Sequence, residues 1–364
     1  MLDRLLSHDR PRSRLLALLL AAIVLGLAFA PFLFPGTRAL NVAAKIIVFI
    51  ILAGSFDLLL GYTGIVSFAH TMFFGIGAYG IAIASTRVGS GWGALAAGAA
   101  AALALASVLA LLIGLFSLRV RAIFFAMITL AVASAFLGLA SQWSDLTGGE
   151  DGLTFKVPEA LRPGTTHADA PLFGVAIDGR LLTYYLLFFV ALALVLLLLR
   201  IVNSPFGRVL QAIRENDFRA EAIGYRTVVY RTLASLLSAL FATVAGMLLA
   251  LWLRYNGPET TLSFEIMLDV LLIVVIGGMG TVYGAVIGSV LLVLAQNYLQ
   301  DLMKLGASAV EGVPIVSQLV SPDRWLLWLG ILFVLSVYHF PNGVVGRLRA
   351  GARPASSPAR SKPG

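Results

Sequence analysis

Apolar stretches of about 20 residues, the length that crosses a bilayer, recur along the chain and are broken by short polar pieces. They lie near 15–34, 40–60, 65–86, 93–117, 122–142, 181–201, 232–254, 262–279, 283–300 and 324–340. Backbone inside a bilayer must satisfy its own hydrogen bonds, so a span is a helix or part of a closed barrel. The strict apolar/polar alternation of a barrel is absent. The pattern predicts an all-α polytopic membrane protein of about ten transmembrane helices, with a transmembrane domain over 15–346. Ten spans divide into two fives, and because five is odd the second set would run opposite to the first, an inverted 5+5 repeat of the kind transporters use. The first run follows Arg4, Arg10, Arg12 and Arg14 like a signal peptide, but it lacks a cleavage site and is read as a retained helix.

Residues 202–231 interrupt this pattern. The stretch from Asn203 reads NSPFGRVLQAIRENDFRAEAIGYRTVVYR. It is too long for a turn between spans and, with Val209, Leu210, Ile213, Phe218 and Ile223, too apolar for a solvated linker. Ser204 and Pro205 form a helix opening, a hydroxyl N-cap followed by a first-turn proline, and Gly224 is a stop. Val209, Ile213, Ala220 and Ile223 are expected to share a face, while Arg214, Glu215, Asn216 and Asp217 interrupt the middle. The reading is two short helices with a charged elbow lying across the membrane surface. An interfacial helix without a partner would also fit, but the small size and mixed charge favour protein docking.

Charge sets the expected sidedness. The net charge of +8 would suggest nucleic acid in a soluble protein. Here the basic residues stand at span ends, where the positive-inside bias accounts for them, so no nucleic-acid partner is expected. With the N-terminus (1–14) inside, Arg119 and Arg121, the 202–231 loop and the basic, low-complexity tail (347–364, expected to be disordered) are all cytoplasmic. The loop 143–180, rich in Asp and Glu, is extracytoplasmic. Both termini are then cytoplasmic. The chain has no cysteine, hence no disulfide framework and no thiolate metal site.

Two glycine clusters interrupt the apolar sequence. One is Gly61, Tyr62 and Gly64, followed by Ser67, His70, Gly75, Gly77 and Tyr79; the other is Gly277, Gly278 and Gly280. Glycine allows close helix packing or an unwound segment whose backbone lines a cavity, and broken helices point to transporter sites. Packing is the better reading for any single glycine; the clusters together are candidates for a substrate path. Ionisable residues within spans are functional candidates by default, and Asp57, His70, Asp269 and Lys45 qualify. For Lys45 and Asp57 a helix-end residue wetted by headgroups is the plainer alternative, and for His70 a packed, hydrogen-bonded histidine. Thr147, Gly148, Gly149 and Gly152, with Glu150 and Asp151, predict a tight turn after the fifth span, either a helix cap or an outer-face loop that receives a partner. No GxxxxGK[ST] phosphate loop and no HExxH or comparable ligand spacing occurs, so no catalytic group, metal or bound cofactor is expected. If ATP drives the protein, another subunit hydrolyses it.

Residues 214–225, REND-x-x-A-E-A-I-G-Y, resemble the cytoplasmic coupling loop of ABC importer permeases. Gly61-Tyr-Thr-Gly64, Ser67, His70 and the run from Phe73 to Tyr79 are similar to the branched-chain amino-acid permease family, LivH/LivM group. So are Leu118-Arg-Val-Arg121, Leu146-Thr-Gly-Gly149, the run from Val275 to Thr281, and His339-Phe-Pro-Asn-Gly343. The resemblance covers about 40–346, and the Thr-Gly-Gly loop favours a LivM-like member. Asp57, Ala69 and Ala122 depart from the family's usual residues, which bears on the substrate. Relatives carrying urea, short amides or carboxylates keep those alternatives open; an inverted-repeat secondary transporter would rest on Asp57 and Asp269. The resemblance implies an import machine in the bacterial inner membrane. A second, LivH-like permease completes the pore, two cytosolic ATPases use ATP, and an extracytoplasmic binding protein delivers a branched-chain or hydrophobic amino acid. Arg214, Glu215, Asn216, Asp217, Ala220, Glu221 and Gly224 would then couple to an ATPase, and substrate would pass along the two glycine segments.

Overall fold

The structure, a computed structural model, describes residues 13–34, 36–117, 122–167, 175–309 and 321–350. The segments 1–12, 118–121 and 351–364, and part of the loop expected over 143–180, lie outside the described residues. Each of the ten expected spans is a helix. In chain order they are α1 (Arg14–Leu33), α2 (Thr37–Thr63), α3 (His70–Arg87), α4 (Trp92–Ser117), α5 (Ala122–Gln142) and α6 (Gly179–Val202). The pair α7 (Pro205–Glu215) and α8 (Asp217–Ala222) follows, then α9 (Thr227–Leu253), α10 (Phe264–Gly277), α11 (Val282–Ala309), α12 (Trp325–His339) and a terminal α13 (Gly343–Ala350). The sheet content among the described residues is a two-stranded clip, β1 (Leu153–Thr154) antiparallel to β2 (Tyr255–Asn256). The chain is an all-α, multi-pass membrane protein.

Nine helical segments are long and apolar enough to cross a bilayer among the described residues; the span that includes α10 begins at the one-turn helix Pro258–Thr261. The tenth, α3, carries His70, Ser85, Thr86, Arg87 and three glycines, and its composition is less apolar. Burial accounts for part of this: α3 lies among α9, α4 and α2, so protein surrounds His70 and Ser85, while Thr86 and Arg87 are exposed at its C-terminal end. α2 is the most enclosed helix, with its full middle buried, whereas α1, α4, α5 and α12 leave most of their apolar surface bare. That surface faces lipid or another subunit.

The tightest helix crossing depends on missing side chains. A Cβ on Gly77 would strike the carbonyl oxygen of Thr243 in α9, and one on Gly246 would strike the carbonyl oxygen of Phe74 in α3. The two backbones touch through paired glycines, the small-residue contact that lets membrane helices pack by van der Waals attraction. On its other side α3 meets α4 in the same way, through Gly80 and Gly98.

The long expected span 65–86 differs from the fold at its start. Gly64 ends α2 in a left-handed conformation with its N–H on the Leu59 carbonyl, and helix resumes only at His70. The intervening backbone is held from outside, with the Phe68 N–H donating to Thr129 Oγ1 at 3.0 Å.

Candidate functional site

The two glycine clusters, far apart in sequence, meet. α2 ends just beyond Gly61, and α10 ends at Gly277 before α11 resumes at Val282. At the join, the Gly280 N–H donates to Asp57 Oδ1 at 2.8 Å. A side chain at Gly61 would collide with Asp57 Oδ1 and with the backbone of Gly280. Gly278 lies against Asn342 and Gly343, the link between α12 and α13. The ends of α2 and α10, the start of α11 and the α12–α13 link therefore share one junction with almost no side chain between them. Asp57 is 1% exposed, which corrects the reading of a headgroup-wetted carboxylate: it is a buried acceptor that holds the second glycine break against the first.

The 202–231 segment reaches the same junction. The Arg214 guanidinium, at the end of α7, donates to the Gly61 carbonyl, and its aliphatic stem lies against Gly64. The expected pair of short helices is present and its elbow is one residue, Asn216. The backbone of Asn216 turns out of helix (φ −160°, ψ 99°), its N–H closes α7 on Ala212, and its side chain caps α8 by accepting from the Arg219 N–H at 2.9 Å. Val209, Ile213 and Ala220 form a buried cluster with Tyr230 against it. Asp217 pairs with Arg231 at 2.9 Å, and Glu221 accepts from Thr227 Oγ1 at 2.6 Å. Both contacts tie α8 to the start of α9. Gly224 has φ +97° and supplies the reversal between them. Ile223 does not join the buried face as its spacing suggests. It is 68% exposed and Phe218 82% exposed, because α8 ends at Ala222 and the chain turns before another helical turn could bring Ile223 inward. Glu215 is exposed beside them.

The remaining residues of the first glycine stretch lie elsewhere. His70 is enclosed between α2 and α9: Nδ1 is 3.1 Å from the Ser67 carbonyl, Nε2 is 2.7 Å from Ser238 Oγ, and the Phe56 ring meets its own edge-on at 5.0 Å. Ser238 also donates to the Ser55 carbonyl. Tyr62 is buried in the core. Gly75 faces Leu262 and Gly77 faces α9. Tyr79 lines an apolar cavity of about 610 Å³ between α3, α4 and α5.

Thr147, Gly148, Gly149 and Gly152 stand at the opposite end of the bundle and build the tight turn their composition predicts. All three glycines have positive φ; a Cβ on Gly148 would meet the Gly152 carbonyl. Thr147 Oγ1 lies 2.6 Å from the Ala140 carbonyl at the end of α5 and accepts from the Gly149 N–H at 3.3 Å. The turn hands the chain to β1, whose clip with β2 fastens it to the end of α9. Thr147→Val removes that hydroxyl from a buried site, and the expected cost is about 1–3 kcal/mol, visible as a lower melting temperature in detergent; an unchanged melting temperature would show that the hydroxyl does not hold the turn.

The hydroxyl–imidazole contact of Ser238 and His70 is sealed in the core, the two residues being 0% and 1% exposed, and no cluster of potential metal ligands is found among the described residues. What the junction offers is mechanical: one arginine connects a surface helix pair to the breaks in two membrane helices.

Residues 38–337 match the family described as branched-chain amino acid transport system / permease component. The chain belongs to this permease family. It is 29% identical to the high-affinity branched-chain amino acid transport system permease protein LivM of Salmonella typhimurium over 326 residues, covering 85% of this chain and 74% of that protein. The figures for LivM of Escherichia coli are the same. A probable LivM of Methanocaldococcus jannaschii is 25% identical over 250 residues, covering 67% of each chain. No solved structure matches. Within this permease, sequence reasoning missed Ser55 and Ser238, which enclose His70, and it gave no partner inside the bundle to Arg214. A hydroxyl facing a histidine from a distant helix leaves no spacing signal, and the arginine's inward reach is invisible without the contact.

Proposed function

We propose that this permease is one membrane subunit of an ATP-driven importer for branched-chain or other hydrophobic amino acids, and that α7 and α8 are where a cytosolic ATPase docks. The observation that carries the reading is the junction: the helix pair presents Phe218, Ile223 and Glu215 outward while Arg214 holds the Gly61 carbonyl inside. An element packed by Val209 and Ile213 yet exposing a large aromatic and an isoleucine suits a protein groove. Movement of the pair would pull on two membrane helix ends through one side chain. ATP is then used by two cytosolic ATPases, a second LivH-like permease completes the pore across the bare faces of α4, α5 or α12, and an extracytoplasmic binding protein presents substrate at the β1–β2 end. This places α7–α8 and both termini on the cytoplasmic side of the inner membrane. The permease contributes passage and coupling and no covalent chemistry.

The test is to purify the tagged chain from its native host under gentle solubilisation and identify its companions by mass spectrometry. ATPase subunits and a second permease are expected with the natural chain. With Phe218→Glu, which places a charge at the centre of the proposed contact, the second permease should remain and the ATPases be lost. Retention of ATPase by this variant would refute α8 as the docking element, and recovery of the chain alone would refute the importer.

A further inference from the structure

A second cavity, of about 610 Å³, opens at the end of the bundle away from Arg214, between α2, α9, α10 and α11. Its volume is within the roughly 300–1,000 Å³ usual for small-molecule sites, and its walls are unlike the apolar cavity beside Tyr79. Lys45 projects from α2, eight residues beyond the first residue of that helix, hence about 12 Å below its start at 1.5 Å per residue. Opposite, α10 presents Glu265 and Asp269. Gln296 of α11 stands between the two signs: its amide donates to Asp269 Oδ1 at 2.7 Å, while its carbonyl oxygen is 3.5 Å from Lys45 Nζ. Phe49 and Phe74 provide apolar wall, with Lys45 Nζ 5.3 Å from the Phe49 ring centroid. Lys45 is therefore part of a cavity lining.

An amine and carboxylates in the same membrane cavity, separated by an amide and incompletely joined, are costly to maintain without a use. Lys45 has one long hydrogen bond for its three donors. Arg38, at the mouth, is already paired with Asp301 at 2.7 Å and adds little free charge. A ligand carrying only a negative charge would approach Lys45 but face Glu265 and Asp269; one carrying only a positive charge would face Lys45. A ligand with both charges adjacent, and an apolar remainder, suits Lys45 on one side, the carboxylates of Glu265 and Asp269 with Glu259 on the other, and the phenylalanine wall. We propose that this cavity binds an α-amino acid as its zwitterion, the carboxylate at Lys45, the ammonium at Asp269 and Glu265, and the side chain against Phe49 and Phe74. The choice of an amino acid rests on the importer reading; the demand for two opposite charges rests on the cavity. The site lies at the end where substrate would enter, one helix length from the coupling junction.

The absence of cysteine permits a direct test. Thr260, on the cavity wall, is changed to cysteine in the full assembly purified from its host, and labelling of this chain by a charged thiol reagent is followed. L-leucine should protect Thr260→Cys, whereas 4-methylpentanoate, which lacks the ammonium, and 3-methylbutylamine, which lacks the carboxylate, should not. Added Lys45→Met or Asp269→Asn should each abolish protection, and Lys45→Arg should retain it. If L-leucine gives no protection while ATPase subunits still copurify, the site is overturned and the importer stands. Equal protection by the two single-charge analogues overturns zwitterion recognition. Should Lys45→Met or Asp269→Asn fail to assemble, the analogue comparison on Thr260→Cys alone decides.

Discussion

Gly61→Val is expected to abolish uptake and to prevent accumulation of a stable permease. The added Cβ would enter space held by Asp57 Oδ1 and the Gly280 backbone, and neither neighbour can move freely. Asp57 is enclosed in α2 and occupied by the Gly280 N–H, while Gly280 is fixed between that bond and the start of α11. Overpacking of a closed contact costs about 1–3 kcal/mol, and more where backbone must shift. Here relief requires separating two helix breaks, so the upper part of that range or beyond is expected, together with loss of the Arg214 contact one atom away on the same residue. Gly138→Val in α5 is the matched control: nothing lies within 4 Å of a Cβ built there, and valine is tolerated in helices. Thermal unfolding in detergent, combined with uptake into vesicles, checks both. A Gly61→Val permease with the melting temperature and uptake of the natural chain would mean that the two glycine clusters do not touch.

The same residues show what sequence could and could not convey. The helix pair in the 202–231 segment was legible because its signals are local: Ser204 and Pro205 open a helix, the polar run Arg214 to Asp217 interrupts it, and Gly224 stops it; that Asn216 alone ends one helix and caps the next came only from the structure. The membrane spans were legible because lipid imposes length and apolarity on each one separately. α3 is instructive as the span least apolar by composition, since protein encloses most of it and its glycines serve contact with neighbours, Gly77 with α9 and Gly80 with α4. Gly61 and Gly280 stood out as helix-breaking clusters, but their meeting is a tertiary contact with no periodic trace. Asp57 looked like an exposed helix end for the same reason, its partner being a backbone N–H more than two hundred residues away. Ile223 was placed on the buried face by extending the helical period beyond Ala222, where the helix had already stopped. Glu265 and Gln296 drew no notice because each sits near a span end, where polar residues are ordinary; only the fold sets them around one cavity.

Arg214→Met should separate ATP hydrolysis from transport. The arginine lies in the last turn of α7, inside the element proposed to receive the ATPase, and although the residue is exposed its guanidinium donates to the carbonyl of buried Gly61. Methionine keeps an unbranched stem against Gly64 and removes the donor. The docking face made by Phe218, Ile223 and Glu215 is untouched, so ATPase subunits should copurify at the natural ratio and hydrolyse ATP. What is lost is the connection by which displacement of α7 is felt at the ends of α2 and α10. A coupling of 1–3 kcal/mol corresponds to roughly 5–150-fold, and a fall in uptake of about tenfold at nearly constant ATP hydrolysis is the expected result. Glu215→Lys addresses the outward face of the same turn and should instead weaken ATPase retention, lowering hydrolysis and uptake together. The two neighbouring substitutions thus report on opposite sides of one helix end. If Arg214→Met lowers ATPase recovery as Glu215→Lys does, the arginine belongs to the docking surface; if it leaves uptake unchanged, force reaches the membrane helices by another route, with the Asp217–Arg231 pair at the base of α9 the next contact to break.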